Sequence, residues 1–219
     1  MSKISLIREL LDAHYGKNEW AERLPVLDEL VLTILSQNTT AKNCSEAFEH
    51  LRARLGAWDN IMRADWREIA EAIKVGGLAN RKAPRIKRIL EEIHERQGNL
   101  DLEWIAGVPD EQAMEYLMAF DGVGRKTAAC TLMFALNRPV LPVDTHVHRV
   151  AERLGLIPKV SADKAHDLLQ QLVAQNDIYS FHVNMVTHGR RGCRAIRPDC
   201  PSCILKEECD YFAERTRTG

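Results

Sequence analysis

Four cysteines near the end of the chain follow the pattern Cys193-x6-Cys200-x2-Cys203-x5-Cys209. Soft thiolates on a short stretch broken by Gly192, Pro198 and Pro201 suit a thiophilic metal centre. Structural zinc commonly uses two separated short pairs. Here only Cys200 and Cys203 form a short pair. One loop wrapped around a larger body, an iron–sulfur cube, fits the wider outer spacings better, with inert cysteines as the alternative. A disulfide framework would imply secretion. The start, Met1-Ser2-Lys3-Ile4-Ser5, instead leads straight into a charged helical pattern without a signal-peptide core. Cys44 and Cys130 lie among apolar helical residues and read as small core side chains.

A second constellation is Phe120-Asp121-Gly122-Val123-Gly124-Arg125-Lys126-Thr127-Ala128. One helix ends, a Gly-Val-Gly turn follows, and another helix begins. The glycines permit positive φ and close approach of another molecule. The open N–H groups and positive dipole end of the second helix make an anion site suited to a phosphate. A plain tight turn in a helical hairpin is the alternative. Further on, Asp144 precedes Thr145 where it can cap a helix.

The elements that must position these residues read as helical nearly throughout. Leu27, Leu30, Val31, Ile34 and Leu35 form an amphipathic stripe. Ala47, Phe48, Leu51 and Leu55 form another, stopped by Gly56. Ile86, Ile89, Leu90 and Ile93 line a helix with Pro84 expected in its first turn. Further helices are expected over 113–118, 127–136, 146–154, 165–173 and 181–188. No alternating strand run and no internal repeat is present, so the fold class is all-α with about ten helices. Residues 139–142 are the best boundary candidate. The tail beyond Arg190 is irregular and would need a metal to order it.

The chain has 219 residues, 45% hydrophobic and 28% charged. That is globular composition, without the roughly 20-residue apolar run of a spanning helix. A soluble cytosolic protein is expected. Its formal net charge of −1 hides sorted blocks. Residues 74–88 carry six basic side chains and no acid, residues 190–197 four arginines and no acid, and residues 89–121 nine acids against Arg96. A polyanion-binding face is therefore compatible with near neutrality, as is a set of solvated helix faces.

Two more stretches, Leu35-Ser36-Gln37-Asn38-Thr39 and Leu141-Pro142-Val143-Asp144-Thr145-His146-Val147-His148-Arg149, complete a recognisable set. With the hairpin and the cysteine loop, the chain resembles the endonuclease III family of base-excision DNA glycosylases, in the helix–hairpin–helix/Gly-Pro-Asp superfamily. The resemblance runs from about Leu27 to Cys209, with the motifs in family order. It implies two helical domains flanking a DNA groove. Residues 25–138 would form a six-helix barrel carrying the hairpin. Residues 1–24 and 139–219 would form an iron–sulfur domain, with Cys193, Cys200, Cys203 and Cys209 holding a structural 4Fe–4S cluster.

The resemblance also implies a reaction on damaged, oxidised-pyrimidine bases or abasic sites in double-stranded DNA. Lys126 matches the catalytic lysine. Its neutral amine would attack the sugar C1′ and form a Schiff base, after which β-elimination nicks the strand. Arg125, the helix N-terminus and partial burial would help it lose its proton. A surface lysine touching phosphate is the alternative. Asp144 matches the catalytic aspartate, which would assist proton transfer and stabilise developing charge.

The target base must be flipped out, and Gln37 and Leu78 match the residues that fill the gap. A buried helix-start leucine is the alternative for Leu78. Lys82, Gly122, Gly124, Arg125, Thr145, His146, Arg149, Arg190, Arg191 and Arg194 are the expected DNA contacts. Asp121 stands where the family usually has proline, Ala79 where it often has an aromatic, and Thr40 where it often has aspartate. An adenine-type member would need a carboxylate in the helix before Gln37 and would usually carry an extra C-terminal domain. Residues 30–45 contain no acid, and ten residues follow Cys209. Mismatch, uracil or adenine glycosylases and a non-catalytic iron–sulfur DNA-binding protein are the rival readings. A monomer, off the membrane and nucleoid-associated if bacterial, is expected.

Overall fold

The structure, a computed structural model, describes residues 2–21 and 24–217; Met1, Glu22, Arg23, Thr218 and Gly219 lie outside them. The described residues are helical, without strands. The chain divides into two units, Arg23–Leu136 on one side, and Met1–Glu22 with Asn137–Gly219 on the other.

The chain opens with α1 (Lys3–Tyr15), then enters the continuous unit. There α2 is Val26–Leu35, α3 Ala41–Leu55, α4 Trp58–Arg63, α5 Trp66–Ala72, α6 Ala79–Gln97, α7 Asp110–Met118 and α8 Arg125–Leu136. Leu27, Leu30, Val31, Ile34 and Leu35 are buried as their spacing requires. Their helix packs most extensively on α8. That helix is buried along nearly its whole length, with small Ala128, Ala129 and Cys130 letting a neighbour approach closely. The α3 helix starts at a Thr40 cap and stops at Gly56, where φ is 76°. Pro84 departs from expectation. The α6 helix begins at Ala79, because the N–H groups of Arg81 and Lys82 already bond Leu78 O. Proline is thus interior, and its missing N–H leaves the carbonyl of exposed Asn80 to water.

The discontinuous unit adds α9 (Thr145–Arg153), α10 (Ala162–Leu172), α11 (Ile178–Arg191) and α12 (Asp210–Arg217) to α1. Buried Asn184 on α11 donates to Asp12 Oδ1 (2.9 Å) and Gly16 O (3.0 Å), tying the first helix to the eleventh. The stretch leading to Asp144 is pinned from several sides. His166 meets Leu141 O at 3.1 Å and His182 meets Pro142 O at 2.9 Å, both through Nδ1. Gln170 bonds both Pro139 O and Leu141 N. The last position before α9 is therefore fixed by buried polar groups, not by a flexible link.

Candidate functional site

The residues singled out above fall into two sets, one in each unit. In the continuous unit the hairpin is built by backbone rules. Val123 N–H closes back on Phe120 O at 3.0 Å, and Gly122 takes φ of 76°. A Cβ at Gly122 would lie 2.1 Å from Arg85 Nε, so the space expected for an approaching molecule is filled by an arginine of α6. Gly124 is the open position, with nothing within 4 Å of the place a Cβ would take and no positive φ. Its carbonyl accepts from Thr127 N (2.9 Å) and Ala128 N (3.1 Å), which starts α8. The amides ahead of those two have no intrahelical acceptor. Lys126, half-buried, is the second residue of that helix. Asp121 forms an exposed ion pair with Arg88 at 2.8 Å.

The gap-filling pair stands at helix boundaries. Leu78 is 45% exposed in the left-handed region (φ 53°), between Gly77 and α6. Trp66, Arg67, Lys74, Asn80 and Arg81 line an open groove beside it. Gln37 is half-buried, its Nε2 donating to Thr127 Oγ1 (3.5 Å) and its Oε1 accepting from Arg85 (3.4 Å). Its neighbour Asn38 is the exposed residue, also left-handed at φ 54°. Asparagine tolerates that conformation better than most residues, and this was the sequence signal for it.

Lys82 is a correction. The chain's basic run suggested a phosphate contact, yet Lys82 is 2% exposed and donates to Leu35 O (2.6 Å) and Gly76 O (2.9 Å). It lies on the same buried helix face as Ala83, Ile86 and Ile89 and satisfies carbonyls left open at a helix end. Burial lowers its pKa from the ordinary lysine value.

A second correction concerns acids on α2. The helix begins at Val26, so it includes Asp28 and Glu29, just outside the acid-free stretch 30–45. Asp28 accepts from Trp58 Nε1. Glu29 is 8% exposed and accepts from Thr33 Oγ1 at 3.1 Å. Burial pushes its carboxyl up to about 7, against the opposing pull of the Thr33 hydroxyl and the Lys126 ammonium. Glu29 and Thr33 stand four residues apart on one face of α2.

In the other unit Asp144 caps α9, with Oδ1 accepting from His146 N (2.9 Å) and Val147 N (2.8 Å). Both cap bonds go to one oxygen, so Oδ2 lies outside the cap. Thr145 is exposed and His146 half-buried. Arg149 is not a free phosphate contact. Its guanidinium donates to Cys193 O, Gly189 O and Thr145 O, and meets His146 Nδ1 at 3.2 Å, bracing the start of the cysteine loop. Arg190, Arg191 and Arg194 are exposed.

The four loop cysteines line one small, partly open pocket. Among the described residues, no group of three or more His, Cys, Asp or Glu is arranged to hold a single metal ion. Four thiols spread around a space suit a larger inorganic body better than one ion, and their softness suits iron–sulfur chemistry. Donors already surround them: Leu205 N–H points at Cys203 Sγ (3.4 Å) and Arg153 at Cys193 Sγ (3.3 Å). Arg153, which sequence reading did not single out, also bonds the carbonyls of Arg194 and Ala195 and stacks over Tyr211 at 4.8 Å. His188 stands 3.6 Å from Cys203 Sγ; burial, then the nearby His14, lowers its pKa to about 4, so it is neutral at pH 7.

A helical hairpin presenting amides beside a lysine, over a helical scaffold with a cysteine loop, is the architecture of one repair superfamily. The family model described as HhH-GPD superfamily base excision DNA repair protein matches residues 31–175, about two-thirds of the chain, and the chain belongs to that superfamily. Within it, the chain is of the endonuclease III glycosylase type. It is 32% identical over 197 residues to Endonuclease III of Sulfolobus acidocaldarius, covering 88% of this chain and 85% of that protein. It is 33% identical over 174 residues to the DNA glycosylase/AP lyase ROS1 of Arabidopsis thaliana, covering 71% of this chain. The chain spans only 12% of ROS1, and 58% of another Arabidopsis thaliana relative. Its fold matches a non-covalent endonuclease III–DNA complex with a TM-score of 0.83 at 25% identity, covering 99% of both chains.

Proposed function

We propose that this protein excises damaged bases, oxidised pyrimidines among them, from double-stranded DNA and nicks the abasic strand. One observation carries the reading: Lys126 stands half-buried in the first turn of α8, two residues after Gly124, where nothing crowds the backbone. A phosphate seated at that turn would hold a nucleotide beside the amine. The Nζ lone pair attacks C1′ and the base leaves with the C1′–N bond pair, taking up a proton. The C1′–O4′ bond then opens, its electron pair and a proton going to O4′, while the nitrogen lone pair forms the C1′=N bond of the Schiff base. Loss of a C2′ proton from that Schiff base breaks the C3′–O bond, and the 3′ phosphate leaves with its electron pair. The two related proteins named above, an endonuclease and an AP lyase, support the nicking step.

Asp144, held rigid by its own helix, acts in the same reaction through the carboxylate oxygen that the cap leaves over. Leu78 is the apolar wedge for the vacated stack, and Asn38 or Gln37 its polar counterpart. Exposed Arg190, Arg191 and Arg194 meet phosphates.

Cys193, Cys200, Cys203 and Cys209 would hold the 4Fe–4S cluster. When bound it supplies a rigid cross-link for the loop, not chemistry on the base. The protein acts as a monomer, in the cytoplasm and on the nucleoid if bacterial. Among the described residues, no helix is long and apolar enough to cross a membrane.

The test is borohydride trapping on duplexes carrying thymine glycol or an abasic site. The wild-type protein should form a covalent product and Lys126→Gln none. A product that persists in Lys126→Gln would sink the lysine assignment.

A further inference from the structure

We infer that His188 donates its ring Nε2–H to the sulfur of Cys203 when that sulfur holds the cluster, and that Tyr15 sets the ring for this task. The inference rests on the reading of the four loop cysteines as cluster ligands. His188 is 3% exposed and lies in the last turn of α11. Its Nε2 stands 3.6 Å from Cys203 Sγ, within reach for a large sulfur acceptor, and its Nδ1 stands 3.0 Å from the Tyr15 hydroxyl. Leu205 N–H approaches the same sulfur at 3.4 Å, so a backbone and a ring nitrogen converge on it.

The backbone on either side of this contact is fixed. The carbonyl of His188 accepts from Gly192 N and Cys193 N, both at 2.9 Å, which closes α11 into the cysteine loop. Tyr15 is the last residue of α1 and meets the imidazole edge-on, with ring centroids 6.0 Å apart. Asn184, one turn earlier on α11, bonds the carbonyl of Gly16, the residue that follows Tyr15. The end of α1 is therefore tied to the same helix that carries the imidazole.

The placing of the hydrogens follows from the donor inventory. A free Cys203 thiol has a hydrogen to give, but a sulfur that ligates a metal has lost it. The contact with such a sulfur is favourable only with a hydrogen on Nε2. In the neutral ring Nδ1 is then an acceptor, and the O–H of Tyr15 is the donor facing it. Tyr15 thus selects the tautomer, as outer partners commonly do around metal sites. A charged ring also carries Nε2–H, so the contact with sulfur does not depend on titration of His188. A hydrogen bond to a ligating sulfur favours the more reduced, more negative cluster and raises its reduction potential. His188 is a positioning residue in this account, since it acts through Cys203.

The experiment compares two variants of the iron-loaded full chain by protein-film voltammetry, in which the electrode supplies one electron to the cluster. Glutamine places an amide N–H near the Nε2 position. Asparagine reaches only the Nδ1 position, where it keeps an acceptor for Tyr15. His188→Asn should lower the potential, changing the oxidised-to-reduced ratio at a fixed potential about tenfold, roughly 59 mV for one electron. His188→Gln should stay close to the wild-type protein. Equal potentials in all three proteins, or equal shifts in both variants, would overturn the proposal, because a merely structural role does not distinguish the two amides. If both variants lose their iron, nitrogen NMR of labelled histidine in the iron-loaded wild-type and Tyr15→Phe proteins decides. The wild-type ring should carry its hydrogen on Nε2, and Tyr15→Phe should populate the Nδ1–H form. A wild-type ring with its hydrogen on Nδ1 alone would overturn the proposal. A colourless, iron-free wild-type protein would instead sink the cluster reading, and the proposal with it.

Discussion

The hairpin unit and the cysteine loop hold their polar groups by opposite means. Around the hairpin, charged groups sit inside packed apolar surface: Lys82 and Glu29 are both under 10% exposed, satisfied by neighbouring carbonyls or a hydroxyl. Beyond Arg191, Leu205 is the one buried residue among those described. The loop is held from outside, by Arg149 and Arg153 reaching its carbonyls and one sulfur. A segment with so little core of its own cannot offset the entropy of ordering its backbone. The first region is made rigid by burial; the second depends on what its thiols bind.

The sharpest way to break that contrast is Cys203→Ala. It should remove the yellow-brown colour and the roughly four irons expected of a cubane. Protease should then cut beyond Arg191, while a fragment from the hairpin unit stays resistant. Limited proteolysis with mass mapping checks it, and loss of the two regions together would show that the contrast is false.

Asp144→Asn comes next in size. Asparagine caps nearly as well as aspartate, so the melting curve should move by no more than about 1 kcal/mol. Single-turnover excision should fall roughly 100- to 1,000-fold, as for loss of one preorganised electrostatic contact. Nearly intact excision would leave Asp144 a helix cap and nothing more.

Glu29 offers a smaller effect with a definite sign. Its folded pKa, about 7, lies above the ordinary 4.5, so the carboxyl contributes most below pH 4.5 and costs stability as pH rises through 7. Glu29→Gln should therefore match the wild-type protein near pH 4 and exceed it at pH 8, by at most about 3 kcal/mol. Denaturant melts at the two pH values measure this.

The smallest effect separates surface from interior charge. Arg190→Ala and Arg191→Ala should each lower the slope of log affinity against log salt by about one unit. Lys82→Gln should leave that slope unchanged and instead cost stability of roughly 1–3 kcal/mol, because two carbonyls lose their donor. A slope change in Lys82→Gln would return that residue to the DNA.

These differences mark what a sequence can carry. The glycines around Val123, the cysteine spacing and the apolar stripe from Leu27 to Leu35 are local patterns, and each is visible in the residue string. The face a charged residue takes is not local. Lys82 sits in a basic run and yet points inward, because its helix starts five residues before Pro84 and turns that face to the core. Arg149 and Arg153 look like surface arginines until α11 and the cysteine loop fold against them. Glu29 lies one residue before an acid-free window, and only the true start of α2 places it on the same face as Thr33.

The central claim is that the amine of Lys126 performs the chemistry, and peptide mapping of the borohydride-trapped product tests it most directly. The account predicts one modified peptide, the one containing Lys126, carrying the mass of the reduced sugar remnant. The same mass on any other lysine or on the N-terminal amine, with Lys126 unmodified, would contradict it.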